Sequence, residues 1–224
     1  MTESIGSARP RGHLRVMVGV AAAAAIAAWV FVTLNLVTEP QRPPPADDIG
    51  GPFTLVGNGE KISDRDLLGK WLLVYFGYTH CPNICPMTLG EISATLKLLG
   101  PLASEVQPLF ITIDPERDSA EAVTSFVREF DAKIIGLSGT PAQIAAVATK
   151  YHVYYAKAPS SVTGPEDYLM EHSAFIYVMG PNGKYVTLLS PVQGQTPDNM
   201  AARLRDLMTD NSAQSANRTS VPGQ

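Results

Sequence analysis

An uncharged stretch near the N-terminus limits what this chain can build. The residues from Val16 to Thr38 carry no charge and are rich in alanine and valine. A helix rises about 1.5 Å per residue, so this stretch is long enough to cross a hydrocarbon core about 30 Å thick. The sequence therefore predicts one transmembrane helix at 16–38, and a folded domain has to come from the residues that follow it.

A cleaved signal peptide is the alternative for this stretch. Its apolar region is usually about 7–15 residues long, which is shorter than the run seen here. No small-residue cleavage pattern follows the run either. Arg9, Arg11 and Arg15 precede it, and positive residues stay on the cytoplasmic side. We therefore expect a cytoplasmic N-terminus at 1–15 and a domain on the periplasmic or external side.

The flanking segments narrow the location and the partners further. A mitochondrial protein would carry a longer presequence rich in arginine and serine, so a bacterial inner membrane is favoured. The proline-rich residues 39–52 predict an extended linker, and the Ser-, Asn- and Gln-rich residues 209–224 predict a disordered tail. A net charge of −4 provides no basic patch, so no nucleic-acid partner is expected.

Strand and helix patterns alternate between residues 53 and 208. Strands joined by helices give a mixed sheet with helices on both faces. With an N-terminal β-hairpin and an antiparallel hairpin near the end, this order predicts an α/β fold of the three-layer, thioredoxin-like type. The predicted strands are 53–56, 61–63, 71–76, 107–113, 133–137, 153–156, 173–179 and 185–189, and the predicted helices are 86–99, 119–130, 141–151 and 197–208.

The chain has two cysteines, Cys81 and Cys85, which lie between a predicted strand and a predicted helix. Pro86 suits the first helical position and disfavours helix at the residue before it. We therefore expect Cys85 at the N-cap and Cys81 in the preceding loop. The positive end of the helix dipole lowers a thiol pKa and favours the thiolate, which both binds metals and attacks disulfides.

Several kinds of site are compatible with these two cysteines. C-x-x-x-C is one residue longer than the C-x-x-C motif of redox proteins, and a structural disulfide is also open. A structural zinc site normally needs four protein ligands, which two cysteines and one distant histidine do not supply. Two soft thiolates with one imidazole suit copper in either oxidation state.

Three segments of the chain resemble the Sco/SenC family. The first is YFGYTHCPNICPMT at 75–88, the second is FITIDPERD at 110–118, and the third is EHSA at 171–174. The match covers roughly residues 52–207 in order and spacing. The resemblance implies a thioredoxin-like fold that binds one copper ion, Cu(I) or Cu(II), through Cys81, Cys85 and His172.

The resemblance also implies a role for the copper. It points to a metallochaperone, not an enzyme, that assembles the binuclear copper centre of cytochrome c oxidase. The partners would be subunit II of the oxidase, or another copper acceptor, and a copper donor protein. The alternative is a thiol–disulfide oxidoreductase that keeps partner cysteines reduced, in which Cys81 and Cys85 form a disulfide when oxidised.

Other residues near the motifs are candidates for a supporting role. Tyr78, Asp114 and Asp118 are expected close to the ligands, where a carboxylate could orient His172 through its other ring nitrogen. Asp118 has a second interpretation as a helix N-cap. His80 is expected outside the ligand set because consecutive residues of an extended loop point apart. The loop 158–170 is predicted to be mobile and to close the site when metal binds.

Overall fold

The computed structural model describes Trp29, residues 48–158 and residues 168–219, with side chains described as far as residue 213. The chain separates into two units, Met1–Pro43 and Pro44–Gln224. Apart from Trp29, the predicted cytoplasmic segment, the anchor and most of the linker lie outside the described residues. Within the described parts, no helix is both long enough and apolar enough to cross a membrane.

The described part of the domain consists of short strands and four α-helices, in the predicted alternating order. A strand hairpin comes first and a helix comes last. The strands are β1 (Thr54–Gly57), β2 (Glu60–Ser63), β3 (Trp71–Gly77), β4 (Val106–Thr112), β5 (Ile135–Leu137), β6 (Tyr155–Ala158), β7 (Leu169–His172), β8 (Ile176–Met179) and β9 (Tyr185–Leu189). The helices are α1 (Ile84–Leu99), α2 (Ala120–Arg128), α3 (Pro141–Lys150) and α4 (Pro197–Thr219).

A five-stranded mixed sheet forms the centre, in the order β5-β4-β3-β8-β9. β3 runs parallel to β4 and antiparallel to β8. Every residue of β3 is buried, as its continuous apolar sequence predicts, so both faces of this strand are covered. Because β3 and β4 are parallel, the loops that follow them meet at one edge of the sheet. A hydrogen bond of 2.8 Å from Ile113 N to Gly77 O joins these two loops.

Residues 155–172 fold differently from the prediction. β6 pairs antiparallel with β7 in a separate two-stranded sheet, whereas the sequence predicted a loop at 158–170. His172 is the last residue of β7, not the start of the next strand, which begins at Ile176. β7 buries only Met170, so its sequence carries little strand signal. Residues 159–167 lie outside the described residues, and the predicted mobility of this loop stays a prediction.

The last helix is longer than predicted. α4 continues to Thr219, through residues that the sequence predicted as a disordered tail. No glycine or proline interrupts 209–219, so nothing stops the helix at Met208. The hydroxyls of Thr209 and Ser212 donate to carbonyl groups one turn earlier, those of Arg205 and Met208. Residues 220–224 lie outside the described residues.

Candidate metal centre

Cys81 and Cys85 lie where β3 gives way to α1, as predicted. The helix begins at Ile84 with Asn83 as its N-cap, so Cys85 is the second helical residue and not the N-cap. Pro86 is still tolerated because it lies in the first turn, where backbone N–H groups have no helical partner. The N–H of Cys85 donates to the sulfur of Cys81 over 3.4 Å. Both cysteines are free thiols.

His172 reaches the same point from β7. Its Nε2 atom lies 3.7 Å from the sulfur of Cys85. The ligand atoms of Cys81, Cys85 and His172 all lie within 4.8 Å of one another, and no other such group is found in the described parts of the chain. Metal–sulfur and metal–nitrogen bonds are about 2.0–2.3 Å long, so one ion can bridge atoms at these separations.

The two thiols differ in burial and in acidity. Cys85 is completely buried, whereas Cys81 is partly exposed. A hydrogen bond from the Cys85 thiol is the main reason that the pKa of Cys81 falls to about 3. The Cys81 thiolate and burial raise the pKa of Cys85 above its ordinary value. The pair therefore holds one proton near neutral pH, on Cys85, and that proton has to leave when both sulfurs bind a metal.

Tyr75 contacts both Cys85 and His172. Its hydroxyl lies 3.8 Å from the sulfur of Cys85, and its ring meets the ring of His172 at 6.2 Å between centroids. Burial raises the pKa of Tyr75, so the hydroxyl keeps its proton and acts as the donor. Sequence analysis did not single out this residue. The alternation of side chains along a strand could have indicated it, because Tyr75 and Gly77 lie on the same face of β3 and Gly77 is next to Cys85.

Gly77 leaves room for the sulfur of Cys85. A Cβ atom at this position would lie 2.8 Å from that sulfur and 2.7 Å from the ring of Phe110. These separations are too short for any real side chain. The sulfur therefore rests against bare backbone at the end of β3.

The ring of His172 is oriented by backbone, not by a carboxylate. Its Nδ1 atom lies 3.0 Å from the carbonyl oxygen of Ser173. A proton on Nδ1 donates to this oxygen and leaves Nε2 free to bind a metal. Neither Asp114 nor Asp118 contacts the ring in the described structure, in contrast to the expectation from sequence. Tyr78, the third supporting candidate, packs edge-on against His172 at 6.1 Å.

Asp118 anchors the loop that carries the cysteines. Its completely buried carboxylate accepts hydrogen bonds from Thr79 N (2.9 Å), Thr79 Oγ1 (2.5 Å) and Thr112 Oγ1 (2.6 Å). The N-cap of α2 is Ser119, whose hydroxyl accepts from Ala122 N, so Asp118 does not cap that helix. His80 lies nearby with its side chain 55% exposed and is not one of the three clustered residues.

Asp114 binds Tyr168, a residue that the sequence did not indicate as part of the site. Its carboxylate accepts from Arg117 Nε over 2.5 Å and from the hydroxyl of Tyr168 over 2.7 Å. The guanidinium of Arg117 lies over the ring of Tyr168, with Cζ 3.7 Å from the centroid. Tyr168 immediately precedes β7. Its partners lie more than 50 positions away, so no local pattern could have indicated the contact.

Two of the three clustered side chains, Cys81 and His172, line an open cleft. Exposed apolar groups, Leu169 and Val192, lie on its rim, each with about half of its surface accessible. Cys81 lines the wall of this cleft, whereas Cys85 is covered completely. A reagent or partner entering from solvent therefore meets Cys81 first.

Comparison with protein families gives a match over most of the chain. The family model described as SCO1/SenC matches residues 41–209. The human protein named "Protein SCO1 homolog, mitochondrial" is 42% identical over 141 residues, which are 62% of this chain and 46% of the relative. A SCO2-like protein of Rickettsia prowazekii is 39% identical over 62% of this chain and 67% of its own length. The chain spans about half the length of the mitochondrial relatives it matches.

Solved structures resemble the domain closely. ScoI of Bradyrhizobium japonicum with copper bound is 43% identical, with a TM-score of 0.64, over 70% of this chain and 98% of that one. Arabidopsis thaliana ScoI with copper bound is 36% identical, with a TM-score of 0.67, over 72% and 99%. These similarities confirm the predicted α/β fold with a mixed sheet as that of the thioredoxin-like Sco structures.

A more distant structure is described by its redox behaviour. BsSco is 25% identical, with a TM-score of 0.57, over 75% of this chain and 98% of that one. It is described as a member of the Sco family of cytochrome c oxidase assembly proteins, in which a disulfide switch has been identified.

Proposed function

This chain belongs to the SCO1/SenC family, and we propose that it is a copper metallochaperone for cytochrome c oxidase, with Cys81, Cys85 and His172 as its copper ligands. The observation that supports this most directly is the convergence of two sulfurs and one imidazole nitrogen within 4.8 Å. Two thiolates and one imidazole form a soft donor set, which binds copper more strongly than it binds harder divalent ions. The copper-bound relatives share this fold.

The exposure of the ligands supports transfer of the metal as well as binding. Cys81 is the partly exposed thiolate and lines the open cleft. A thiolate of an acceptor protein can approach there, bind the copper and replace Cys81 as a ligand. We propose subunit II of cytochrome c oxidase, or another copper-accepting protein, as that acceptor, and a separate donor protein as the source of copper.

We also propose the membrane arrangement that the sequence predicts. The helix at 16–38 would anchor the chain in a bacterial inner membrane. Its cytoplasmic flank would carry the arginines at 9, 11 and 15. The domain would then face the periplasmic side, where copper is delivered to an oxidase subunit.

Copper binding by the reduced full-length chain in detergent tests the ligand set. We expect one copper per chain and absorption bands from thiolate-to-Cu(II) charge transfer. The His172→Ala variant should lose tight binding and those bands. His152→Asn is the matched control, because His152 is exposed and outside the cluster, and asparagine tolerates its φ of 53°. A reduced wild-type protein that does not bind copper tightly would overturn the proposal.

A thiol–disulfide oxidoreductase remains the second candidate, supported by the low pKa of the partly exposed Cys81 beside a buried Cys85. The Cys81 thiolate would attack a partner disulfide, form a mixed disulfide and release one partner thiolate. Cys85 would then lose its proton and attack the sulfur of Cys81. This closes the Cys81–Cys85 disulfide, releases the second partner thiolate and leaves the partner reduced; an external dithiol would restore the pair.

The same His172→Ala variant separates the two functions. It removes a copper ligand but neither sulfur. We expect it to reduce a model disulfide at a rate close to that of the wild type. A collapse of this exchange together with copper binding would count against an independent role for the cysteines.

A further inference from the structure

The two halves of the ligand set are fastened to one short loop, residues 114–118, which follows β4. At its end, Asp118 binds Thr79 and so holds the segment that carries the cysteines. At its start, Asp114 and Arg117 hold Tyr168, which precedes the strand that carries His172. We call Asp114, Arg117 and Tyr168 the clamp.

The clamp engages Tyr168 through its hydroxyl, its ring and its backbone. The hydroxyl donates to Asp114 Oδ1 over 2.7 Å, and Arg117 Nη1 donates to the Tyr168 carbonyl oxygen over 3.0 Å. The guanidinium also stacks on the ring. Lys157 Nζ lies 4.4 Å from the same ring centroid and pairs with Glu116 at 2.6 Å. Two cationic side chains over its ring and two hydrogen bonds fix the position and orientation of this tyrosine.

β7 has few other attachments that could fix His172. Among the described residues it pairs only with β6, and neither strand joins the five-stranded sheet. Met170 is its one buried side chain. An isolated two-stranded hairpin is at best marginally stable in water. The contacts at its ends therefore matter more than they would for a central strand.

The same guanidinium also connects to the ring of His172. Its Cζ atom lies 5.9 Å from the centroid of Tyr78, and Tyr78 packs edge-on against His172. A shift of Arg117 would therefore act on His172 from two sides, through β7 and through Tyr78.

We propose that Tyr168 is a positioning residue for His172, and that the clamp keeps Nε2 facing the two sulfurs. This inference rests on the proposed copper function. Copper bound to a clamped protein is held by three ligands. The clamp keeps His172 in place as a ligand while an acceptor thiolate replaces Cys81 in the open cleft.

Full-length Tyr168→Ala and Tyr168→Phe test the proposal. Loss of a group that orients a ligand typically weakens metal binding about 10–100-fold, so we expect a loss in this range for Tyr168→Ala. Tyr168→Phe keeps the ring and loses only the hydroxyl bond, so its loss should be smaller. Affinity is measured with Cu(I) in competition with a chromophoric chelator, and the charge-transfer spectrum with Cu(II). Tyr154→Ala is the control, an exposed tyrosine beside β6.

A double variant distinguishes positioning of His172 from general stabilisation. In a His172→Ala background, Tyr168→Ala should cause no further loss of copper affinity, because the group it positions is gone. Equal losses in both backgrounds, or a wild-type spectrum and affinity in Tyr168→Ala alone, would overturn the proposal.

A metal-free measurement separates failure of the clamp from failure of the proposed function. In reduced protein without copper, amide hydrogen exchange at 169–172 should rise in Tyr168→Ala and stay unchanged in Tyr154→Ala. Exchange that does not respond would contradict the clamp, whatever the protein does with copper. A wild type without copper affinity would contradict the function instead, and Tyr168→Phe covers the case in which the alanine variant does not fold.

Discussion

The cysteines and the histidine are presented by two very different kinds of structure. Cys81 and Cys85 follow β3, the buried central strand, and lie at the start of the helix α1. His172 ends β7, a strand of a separate two-stranded sheet, and β7 has a single buried side chain. We call these parts the cysteine half and the histidine half. The difference indicates that one half of the site is fixed by the core, while the other is held by a few contacts.

The largest effect is expected from a substitution at Gly77, in the cysteine half. In Gly77→Ala the new Cβ would lie 2.8 Å from the sulfur of Cys85 and would push it out of place. We expect loss of tight copper binding and a destabilisation of about 1–3 kcal/mol, as for other overpacked sites. Urea unfolding and copper titration measure both.

Gly90→Ala is the matched control for Gly77→Ala. Gly90 lies in α1 with open space around it, so alanine there should stabilise the protein by up to about 1 kcal/mol. Normal copper binding by Gly77→Ala would show that the core does not fix the position of the Cys85 sulfur.

A pH profile sharpens the contrast inside the cysteine half. The Cys81 pKa is lowered to about 3, chiefly by Cys85, so its alkylation by iodoacetamide should be nearly independent of pH between 5 and 7. In Cys85→Ala the pKa should move up towards the ordinary value of about 8.5, and the rate should fall about tenfold per pH unit below that. The lowered pKa of Cys81 also stabilises the folded protein. This contribution to the free energy of unfolding is complete above the pKa of the unfolded thiol and is lost as the pH falls towards 3.

The alkylation experiment uses mass spectrometry to assign the modified cysteine. The wild type should be modified at Cys81, because Cys85 is completely buried. Equal pH dependence in wild type and Cys85→Ala would remove the case for a proton shared between the two thiols.

The next largest effect is expected from Asp118, which holds the segment that carries the cysteines. In Asp118→Asn an amide replaces a buried carboxylate that accepts three hydrogen bonds, and at least one donor loses its partner. We expect a loss of about 1–3 kcal/mol in the free energy of unfolding and weaker copper binding. Asp206→Asn, on an exposed position of α4, should leave both unchanged. An equal effect of the two substitutions would argue against a special role for Asp118.

The smallest expected effect concerns Tyr75, which touches both halves. Tyr75→Phe removes a weak hydrogen bond to the sulfur of Cys85, at 3.8 Å, and keeps the ring against His172. We expect unchanged copper stoichiometry and a shift in the thiolate-to-Cu(II) band, because hydrogen bonds to a ligand sulfur tune its electronics. Tyr151→Phe, a buried tyrosine that packs on Phe76, is the control. An identical spectrum in both variants would mean that the hydroxyl does not act on the sulfur.

The sequence predicted the cysteine half far better than the histidine half. β3 is a continuous apolar run, and Pro86 marks the start of α1 within two residues, so local patterns were sufficient there. β7 has one buried residue in four, and its pairing with β6 is tertiary, so it was predicted as a loop. His172 was found through resemblance to a family, since no local pattern distinguishes it from the other histidines.

Contacts between distant segments were not predictable from the sequence. Asp118 reaches Thr79 across 39 positions, and Asp114 reaches Tyr168 across 54. Both carboxylates were expected near the site, but neither contacts the ring of His172, because the carbonyl of Ser173 already occupies its Nδ1. Which partner a buried carboxylate selects depends on the packed fold and not on its neighbours in the chain.

The loop at 114–118 has a consequence for anyone who wishes to transplant this centre into another scaffold. Grafting Cys81, Cys85 and His172 would transfer the donor atoms without the part that sets the spacing between them. A graft would also need the two aspartates of the loop, their threonine and tyrosine partners, and a strand that ends in glycine. The smallest portable unit is therefore three chain segments, in which the loop at 114–118 holds the other two, and not three ligands.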